Sequence, residues 1–259
     1  IRNKGSKIGL IPTMGSIHNG HLSLVRRSKK EGFFSIVSIF VNPTQFEDLK
    51  DFENYPRNEE SDLKKLIKGN CDALYFPLAI DLYPNGIKSK KTIFEYRDIL
   101  CDKFRTGHFD GVTTVVHSLF NIVQPSAVFF GEKDFQQLKI INQLIEQNNI
   151  PLKLKNCTSI RLKNGMSLSS RYNNFTSEQK NLFNHIAIKI NEYVEILRQK
   201  IDIDNLKRLS QHLLNYKSIK IDYIEIRDED NLKLTQVNNR ARLFIAFYID
   251  NIRIIDNFK

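Results

Sequence analysis

The segment from residue 12 to residue 21 combines residue types that can bind and activate a phosphate group. It reads Pro-Thr-Met-Gly-Ser-Ile-His-Asn-Gly-His, which places His18 and His21 three residues apart. Residues at this spacing lie on the same side of a helical turn. Two imidazoles directed at one point could stabilise the negative charge that develops on an α-phosphate during nucleotidyl transfer. Two surface histidines in a turn are the alternative interpretation.

Neutral amide side chains follow the next apolar run of the sequence. Asn42 and Gln45 occur in Val-Asn-Pro-Thr-Gln-Phe, at the end of the run at residues 34–41. An amide both donates and accepts hydrogen bonds, so this pair suits a substrate that carries a hydroxyl and a carboxylate. The same two residues are also compatible with an ordinary loop.

A lysine and an aspartate follow a later apolar run, in the Gly-Glu-Lys-Asp of residues 131–134. Lys133 is a mobile point charge that could reach a polyphosphate. Asp134 could accept a hydrogen bond from a ribose hydroxyl, or it could simply cap the helix that begins here. Gln137 lies one turn further along the same helix face.

A further polar segment, Leu-Ser-Ser-Arg, occupies residues 168–171. Ser169 and Ser170 supply two hydroxyls and Arg171 supplies a guanidinium, and together they could hold the β- and γ-phosphates of a nucleotide. An ordinary serine-containing loop explains the same residues when they are taken alone.

Alternating strands and helices must position these residues. Apolar runs at residues 7–12, 34–41, 73–76 and 127–130 predict buried strands, and helices are expected between them. Such strands belong to a parallel sheet that is covered on both faces. The predicted fold class is therefore α/β, with a Rossmann-like doubly wound parallel sheet. Ligands bind such a sheet at the carboxyl ends of its strands, where the first three polar segments fall.

Helix starts and stops support this pattern. A helix is predicted from about Asn19, and its first turn is expected to offer free N–H groups to a phosphate. Asn58 is predicted to cap a second helix. The spacing of apolar residues between Val112 and Val123 predicts a third, which Pro125 ends.

The pattern changes after residue 159. Thr176 and Gln179 form a predicted capping box at the start of a long helix. Two helices and three alternating strands are predicted, at residues 176–199, 204–216, 219–226, 242–249 and 252–255. We therefore predict a Rossmann-like domain at residues 1–159 and a smaller C-terminal α+β domain at residues 160–259, which closes over the active site.

Composition limits the remaining classes of function. The chain has 259 residues, of which 41% are hydrophobic and 26% charged, as in ordinary globular proteins. Its net charge of +10 suggests nucleic-acid binding as one possibility. However, the basic residues are scattered, and clusters such as residues 88–91 lack the interleaved aromatic side chains that stack on bases. We therefore predict no nucleic-acid partner and interpret the charge as solvated surface.

Neither membrane insertion nor secretion is predicted. The sequence has no run of about 18 apolar residues, the length that a membrane helix needs. Residues 1–7 have no apolar stretch of the kind found in a secretory signal. Cys71, Cys101 and Cys157 are odd in number and widely spaced, so they suggest no disulfide framework. A cytoplasmic protein is expected.

The order and spacing of these segments resemble one family closely, the pantothenate synthetases or pantoate–β-alanine ligases, within the HxGH nucleotidyl-transferase superfamily. The resemblance extends over nearly the whole chain. It includes PTMGSIHNGHLSLVRR, VSIFVNPTQF, YPR at residues 55–57, YPNG at residues 83–86, GHFDGVTTVV at residues 107–116, FNIVQP, FFGEKDFQQL, LSSR and the terminal IRIIDN.

This resemblance implies roles for the residues already singled out. His21 would be the principal catalytic histidine, together with His18 and Lys133. The implied ATP-binding residues are Met14, Gly15, Ser16, Ile17, His18, Asn19, Gly20, His21, Gly131, Glu132, Lys133, Asp134, Ile160, Leu168, Ser169, Ser170 and Arg171. Ile160 would contact adenine through its backbone. Gln45, Gln137 and Asn42 would bind the substrates pantoate and β-alanine.

By the same resemblance, the carboxylate of pantoate attacks the α-phosphorus of ATP and forms pantoyl adenylate and pyrophosphate. The amine of β-alanine then displaces AMP. Mg²⁺ is expected to accompany the ATP phosphates, with Asp62 as a metal ligand because Ser61 stands where relatives often have a carboxylate. A homodimer is expected from the resemblance alone.

Three alternatives stay open at this stage. One is another small nucleotidyltransferase of the same superfamily, whose product would keep the nucleotide. The second is a non-catalytic RNA-binding protein, which only the net charge and the distant likeness to synthetase HxGH motifs suggest. The third is an inactive relative of the ligase.

Overall fold

The computed structural model describes residues 5–47, 49–90, 95–199, 202–236 and 240–259. The chain divides into two compact units, Ile1–Ser159 and Ile160–Lys259. Residues 1–4 of the segment 1–7 and residue 91 of the basic cluster 88–91, both used in the sequence predictions, lie outside the described residues.

A five-stranded parallel sheet forms the centre of the first unit. Its strands are β1 (Ile8–Thr13), β2 (Phe34–Ile39), β3 (Ala73–Tyr75), β4 (Ala127–Gly131) and β5 (Lys153–Cys157). Their order in the sheet is β3-β2-β1-β4-β5, and all the pairings are parallel. The chain winds outward in both directions from β1, as in a doubly wound sheet, whose crevice lies at the carboxyl ends of the central strands. The predicted α/β fold class is confirmed.

Helices connect these strands. They are α1 (Asn19–Lys30), α2 (Leu49–Glu53), α3 (Glu59–Lys68), α4 (Ala79–Leu82), α5 (Leu100–Phe104), α6 (His108–Val123) and α7 (Phe135–Gln147). Two short 3₁₀-helices, Pro43–Gln45 and Glu132–Asp134, follow β2 and β4. Both of these turns therefore lie at carboxyl ends of strands, where the predicted site residues are.

Burial on both faces explains the apolar character of the inner strands. Leu10 and Ile11 are successive residues of β1 and neither is exposed, and Phe129 of β4 is equally buried. A parallel strand that is covered on both sides reads as a continuous apolar run rather than an alternating one. Gly9 allows α1 to approach β1, since a Cβ there would lie 2.4 Å from Ser28 Oγ.

The second unit combines two helices with a small antiparallel sheet. Its elements are α8 (Ser177–Gln199), α9 (Ile203–Leu214), β6 (Ile219–Asp228), β7 (Ala241–Ile249) and β8 (Ile252–Phe258). The strands lie in the order β6-β7-β8 and pair antiparallel. Ile186 and Ile190 of α8, Leu209 of α9 and Phe247 of β7 are fully buried in one core.

Capping predictions are confirmed at two helix starts. Asn58 accepts a hydrogen bond from the Ser61 N–H at 2.9 Å and so caps α3. Before α8, the Thr176 hydroxyl oxygen accepts from the Gln179 N–H at 3.2 Å, and the Gln179 side chain accepts from the Thr176 N–H at 3.0 Å. This is the predicted capping box.

Three element predictions needed correction. Strand β5 was not predicted, because Lys-Leu-Lys-Asn-Cys lies at the sheet edge, is only partly buried and lacks an apolar run. The helix expected directly after Gly131 begins with a 3₁₀ turn, and α7 starts at Phe135. Strand β8 continues to Phe258 rather than ending at residue 255.

No helix in the described part of the chain is long and apolar enough to cross a membrane.

Candidate active site

The connection between β1 and α1 makes a tight turn at the carboxyl end of the central strand. We call residues 14–21, this turn and the first residues of α1, the histidine loop. Gly15 and Ser16 both adopt the left-handed conformation, with φ of 85° and 51°. Glycine adopts this conformation without steric cost, which explains its presence at the first of the two positions. The Gly15 N–H donates to the Thr13 hydroxyl at 3.2 Å.

His18 and His21 cap the start of α1 with their own rings. The Gly20 N–H donates to His18 Nδ1 at 3.1 Å, and the His18 N–H donates to His21 Nδ1 at 3.3 Å. An Nδ1 atom that accepts a hydrogen bond carries no proton, so the proton of each neutral ring is on Nε2. The rings stack with centroids 4.1 Å apart and an interplanar angle of 26°. Each histidine therefore presents an Nε2–H donor.

The surroundings keep both histidines neutral. The pKa of His18 is lowered from 6.5 to about 4, chiefly by burial and also by the charges of Lys133 and Lys65, while Asp134 opposes the shift. Burial also lowers the pKa of His21 well below 6.5, with added effects from His18 and the two lysines. Residues from three separate segments thus act on one point. Two neutral donors beside two cations are suited to an oxygen of a phosphate.

Several backbone N–H groups of the histidine loop already have partners within the chain. Those of Ser16 and Ile17 donate to the two carboxylate oxygens of Asp62, each at 2.7 Å. Those of Gly15 and His18 are also engaged. In the first turn of α1, where free N–H groups were expected, the Gly20 N–H donates to His18 Nδ1 and is therefore not free. The loop is therefore left to contact a phosphate mainly through its side chains, and the side chain of Ile17 is excluded because it is 1% exposed.

Asp62 anchors this loop. It lies in the first turn of α3 and is 2% exposed. A Cβ at Gly15 would come within 3.0 Å of Asp62 Oδ2, so the carboxylate is packed directly against the turn. Because both oxygens are directed at the loop, this geometry does not support the predicted metal-binding role of Asp62. The described residues contain no group of three or more His, Cys, Asp or Glu side chains that could hold a metal ion.

Asn42 is hydrogen-bonded inside the protein and only 1% exposed. Its Nδ2 donates to Gln45 Oε1 and to the Gly111 carbonyl, both at 3.1 Å. Its Oδ1 accepts from the Tyr83 hydroxyl at 2.5 Å and from the Thr44 hydroxyl at 3.1 Å. These contacts use the hydrogen-bonding capacity of the amide. Asn42 therefore positions Gln45, and the structure does not support its predicted role as a substrate ligand.

Gln45 is held on several sides and lies against the histidine loop. Its main-chain carbonyl accepts from His108 Nδ1 at 2.8 Å and from the Arg105 guanidinium at 3.1 Å. Its side-chain Nε2 lies 3.0 Å from the sulfur of Met14. A thioether is a weak acceptor. The Gln45 amide can therefore still donate to an oxygen of a ligand.

The segment after β4 carries the predicted lysine and aspartate. Glu132 and Lys133 lie in the 3₁₀ turn and are half-buried, whereas Asp134 is exposed. The Asp134 side chain makes no capping hydrogen bond to α7, so the alternative that it serves as a helix cap is wrong. A Cβ at Gly131 would meet no atom within 4 Å, so no described residue requires glycine there.

Gln136 and Gln137 are adjacent on α7 but differ in their surroundings. Gln136 is buried, accepts from the Cys101 N–H and donates to the carbonyls of Tyr96 and Ile99. Gln137 is half-buried, and its side chain makes no hydrogen bond to any described residue. Gln137, the predicted substrate ligand, is thus the one of the two whose side-chain amide makes no hydrogen bond to a described residue, and Gln136 has a structural role.

The remaining predicted residues lie in the second unit, in residues 160–171, which we call the serine loop. Arg161 and Ser167 form an antiparallel bridge, and the Leu168 N–H donates to the Ile160 carbonyl at 3.0 Å. The Ser169 hydroxyl oxygen accepts from the Arg171 N–H at 3.3 Å and starts the 3₁₀-helix Ser170–Asn174. Ile160 is 39% exposed, and residues 168–171 are half-buried.

Four residues of the first-unit site were missed by sequence reasoning: Lys65, Tyr83, Arg105 and His108. Lys65 follows Asp62 by three positions and shares its helix face, a spacing that was available as a signal. Tyr83 and His108 occur in the YPNG and GHFDGV motifs but had no role. GHFDGV also contains Gly111, where a Cβ would lie 2.5 Å from the Thr44 carbonyl oxygen.

The fold and this site define a class of protein. It is an α/β protein in which paired neutral imidazoles and lysines meet at the carboxyl ends of the central parallel strands, a site directed at phosphate.

Comparison with known proteins gives the family. The sequence profile of the family described as "Pantoate-beta-alanine ligase" matches residues 1–259. The "Pantothenate synthetase" of Sulfurihydrogenibium sp. is 41% identical over 263 residues, which cover 100% of this chain and 94% of the relative. The chain belongs to the pantoate–β-alanine ligase family, as the sequence motifs predicted.

Solved structures agree with this result. The pantothenate synthetase of Thermus thermophilus superposes with a TM-score of 0.90 at 31% identity, over 98% of this chain and 93% of the other. The pantoate-beta-alanine ligase of Francisella tularensis, "Complexed with Beta-gamma ATP and Beta-alanine", gives a TM-score of 0.84 at 40% identity. That comparison covers 98% of this chain and 90% of the other.

Proposed function

We propose that this chain uses ATP to condense pantoate with β-alanine, forming pantothenate, AMP and pyrophosphate through a pantoyl-adenylate intermediate. Membership of the ligase family supports the reaction. The observation that carries the mechanism is the pair of stacked neutral histidines beside Lys133, at the carboxyl end of β1.

In the first step, a carboxylate oxygen of pantoate attacks the α-phosphorus of ATP. The bond to the bridging oxygen breaks and pyrophosphate leaves. Negative charge grows on the α-phosphate oxygens, and the Nε2–H groups of His18 and His21 would donate to them. Both rings would donate these hydrogen bonds as neutral imidazoles, because burial lowers the pKa of each ring.

Two anions must approach each other in this step, and nearby cations would offset their repulsion. Lys133 and Lys65 are close enough to lower the pKa of both histidines, so their charges also act on a phosphate held there. Lys65 extends the set of catalytic cations beyond the predicted one.

Pantoate would be held by amides. Gln45 and Gln137 each have an amide group that can bond to a ligand, and an amide can serve both a hydroxyl and a carboxylate. Asn42 would act through Gln45, whose Oε1 it holds at 3.1 Å.

In the second step, the amine nitrogen of β-alanine attacks the acyl carbon of the adenylate. A C–N bond forms, the C–O bond to the phosphate breaks, and AMP leaves with that oxygen while the amine releases a proton. The same histidines would stabilise the departing phosphate.

The nucleotide itself would be bound by the residues that the resemblance implies. Besides the two histidines, these are Met14, Gly15, Ser16, Asn19 and Gly20, Gly131–Asp134, Ile160, Leu168, Ser169, Ser170 and Arg171. Open space over Gly131 supports a close approach of ligand to the backbone there. In the serine loop, the Ser169 oxygen is occupied as an acceptor, so its hydroxyl hydrogen is left to donate.

Mg²⁺ is proposed to enter bound to the ATP phosphates, whose charge it would neutralise. The described residues provide no cluster that would hold it alone, and Asp62 is engaged with the histidine loop. This fits an ion that uses substrate phosphates and water as ligands. We also propose a cytoplasmic homodimer, for which light scattering of the purified protein is the test.

The deciding experiment measures AMP and pantothenate formed from ATP, Mg²⁺ and pantoate, with and without β-alanine. Both products should depend on β-alanine and should fall sharply in His21→Ala. Folded wild-type protein that forms no AMP in response to β-alanine would overturn the proposal. A product that retains the nucleotide would instead indicate the alternative nucleotidyltransferase.

A further inference from the structure

The terminal motif IRIIDN contains a buried aspartate that no step of the mechanism uses. Asp256 lies in β8 and is 3% exposed. Its Oδ1 accepts from the Ser167 hydroxyl at 2.5 Å and from the Asn257 N–H at 2.8 Å. Its Oδ2 accepts from the Ser167 N–H at 2.7 Å and from Arg161 Nη1 at 3.2 Å. Four donors therefore converge on one carboxylate, and three of them belong to the serine loop.

Arg161 completes this contact from the other side of the loop. Its Nη1 donates to the Gly165 carbonyl at 2.8 Å, and its Nη2 donates to the Asn257 carbonyl at 2.7 Å. The guanidinium also lies 4.6 Å from the centre of the Phe258 ring. Planar guanidinium groups suit such a multiple contact, and an ammonium does not. The start of the serine loop is thereby tied to the end of β8.

Residues 161–167 of the serine loop form a hairpin, closed by the bridge between Arg161 and Ser167. The turn at the far end of this hairpin is fixed to α8. Asn164 donates to the Asn184 side chain at 2.7 Å, and the Asn191 side chain donates to the Asn164 carbonyl at 2.8 Å. Met166, two residues after this turn, is 1% exposed in the core. With both ends of the hairpin fixed, the residues that follow it leave the hairpin in a defined direction.

We propose that Asp256 and Arg161 are positioning residues for ATP, which set the backbone of Ile160 and the phosphate-binding side chains of residues 168–171. This inference rests on the proposed role of the serine loop in ATP binding. A buried carboxylate with four donors is held firmly, because leaving any donor unpaired in the interior is costly. Ser167 transmits that position, as it directly precedes Leu168.

The test is Asp256→Asn, an almost isosteric change that places an N–H₂ group against existing donors. We expect the KM for ATP to rise about tenfold, the effect of losing one charge-assisted hydrogen bond. The KM values for pantoate and β-alanine should change less than the KM for ATP does. Binding of a non-hydrolysable ATP analogue should weaken by the same factor.

Asp222→Asn is the matched control. Asp222 accepts from Arg253 Nε at 2.8 Å and joins β6 to β8, with side chains only 3% and 7% exposed. The two variants should therefore lose comparable stability in thermal melting. Asp222→Asn should leave the KM for ATP unchanged. Equal effects of the two variants on this KM would overturn the positioning role.

Milder variants keep the test decisive if Asp256→Asn does not fold. Ser167→Ala removes the hydroxyl donor and should raise the KM for ATP. Ser167→Thr keeps the hydroxyl and should have the wild-type KM for ATP. Arg161→Lys keeps the charge but loses the link between Asp256 and Asn257, so the KM should also rise. Wild-type KM values in both Ser167→Ala and Arg161→Lys would contradict the proposal.

Arg171→Ala separates failure of this inference from failure of its premise. A raised KM for ATP in Arg171→Ala, with unchanged values in the Asp256 and Ser167 variants, would overturn only the positioning role. An unchanged KM in Arg171→Ala itself would overturn the proposed role of the serine loop and this inference with it.

Discussion

The histidine loop of the first unit and the serine loop of the second are each anchored by one buried carboxylate from a distant segment. The anchors are Asp62 in α3 and Asp256 in β8, at 2% and 3% exposure. Asp62 accepts from two main-chain N–H groups of its loop, whereas Asp256 also accepts from a serine hydroxyl and an arginine. A main-chain anchor tolerates many residue types in the loop, and a side-chain anchor requires particular ones.

The two loops also differ in whether the same residues serve both the proposed chemistry and the local structure. In the histidine loop, the imidazoles that would act on phosphate also cap α1. In the serine loop, Ser167 and Arg161 hold the backbone, and the proposed phosphate ligands are other residues. Substitutions in the first loop will therefore mix catalytic and structural effects unless they are designed to separate them.

The largest predicted effect is on the histidine loop. His21→Asn keeps an acceptor near the position of Nδ1 for the His18 N–H but has no donor at the position of Nε2. We expect kcat to fall by about 10²–10³-fold, as when one preorganised donor to a developing charge is removed. The melting temperature should stay close to that of the wild type. Steady-state kinetics and calorimetry measure the two quantities.

His21→Ala is the comparison for this variant, because it removes both the donor and the cap. It should lose a similar factor in kcat and also melt at a lower temperature. If His21→Asn retained kcat within a few-fold, the Nε2–H group would not be the catalytic element.

The next effect tests the anchor of the same loop. Asp62→Asn should lower kcat/KM for ATP and for pantoate by about 10–100-fold, because the loop N–H groups would lose a charged acceptor. This differs from the effect expected for Asp256→Asn, which should be larger for ATP than for the other two substrates. The difference follows from what each loop carries, since the histidine loop also contacts Gln45 through Met14.

Asp72→Asn is the control for this prediction. Asp72 also accepts from a backbone N–H, that of Ser35 at 2.7 Å, but it does so at the amino end of β2, away from the candidate site. It should lose stability while its kcat/KM stays near that of the wild type. Equal kinetic losses in both variants would show that any carboxylate of this unit that accepts from a backbone N–H has the same effect.

Sequence reasoning located the histidine loop well because its signals are local. Apolar runs marked the strands, and the order of strands and helices placed His18 and Lys133 at the same edge of the sheet. In the serine loop, the residue types at 168–171 indicated phosphate binding, and the family resemblance added Ile160. The fold class and the order of its main elements could be predicted for the same reason, although β5 and the short helices α2, α4 and α5 were not.

The anchors could not be predicted in this way, because each joins residues that are far apart in sequence. Asp62 was predicted as a metal ligand from the resemblance, because Ser61 stands where relatives often have a carboxylate. Only the three-dimensional structure shows its oxygens facing backbone N–H groups. Asn42 and Gln45 were both predicted as substrate ligands, because their amides follow the same strand. The contact of Asn42 with Tyr83, which is distant in sequence, distinguishes the two.

A smaller effect concerns pH, where the histidine loop differs from the serine loop because only the former contains histidine. The pKa of His18 is about 4 in the folded protein against the ordinary 6.5. Below pH 6.5 the unfolded chain binds a proton that the folded chain does not, so stability is complete above 6.5 and declines as pH falls toward 4. The lowered pKa of His21 acts in the same direction.

Calorimetry between about pH 7 and pH 5 should therefore show a falling melting temperature for the wild type and a shallower fall for His21→Asn. The profile of kcat/KM should show no ionisation near 6.5 from either ring. Parallel slopes for both proteins would contradict the coupling of His21 to folding.

The smallest effect isolates the cation that sequence reasoning missed. Lys65→Gln removes a positive charge that lowers the pKa of both histidines, so both values should rise. The rise should be modest, because burial is the largest cause of the lowered pKa and is unchanged. Lys64→Gln is the control, since Lys64 is adjacent on α3 but pairs with Glu60 at 2.5 Å. An NMR titration of the histidine rings that moves equally in the two variants would remove Lys65 from the site. A rise of the histidine pKa values in Lys65→Gln alone would place the Lys65 charge beside the imidazoles. The serine loop offers no such measurement, because it contains no histidine whose pKa a neighbouring cation could lower.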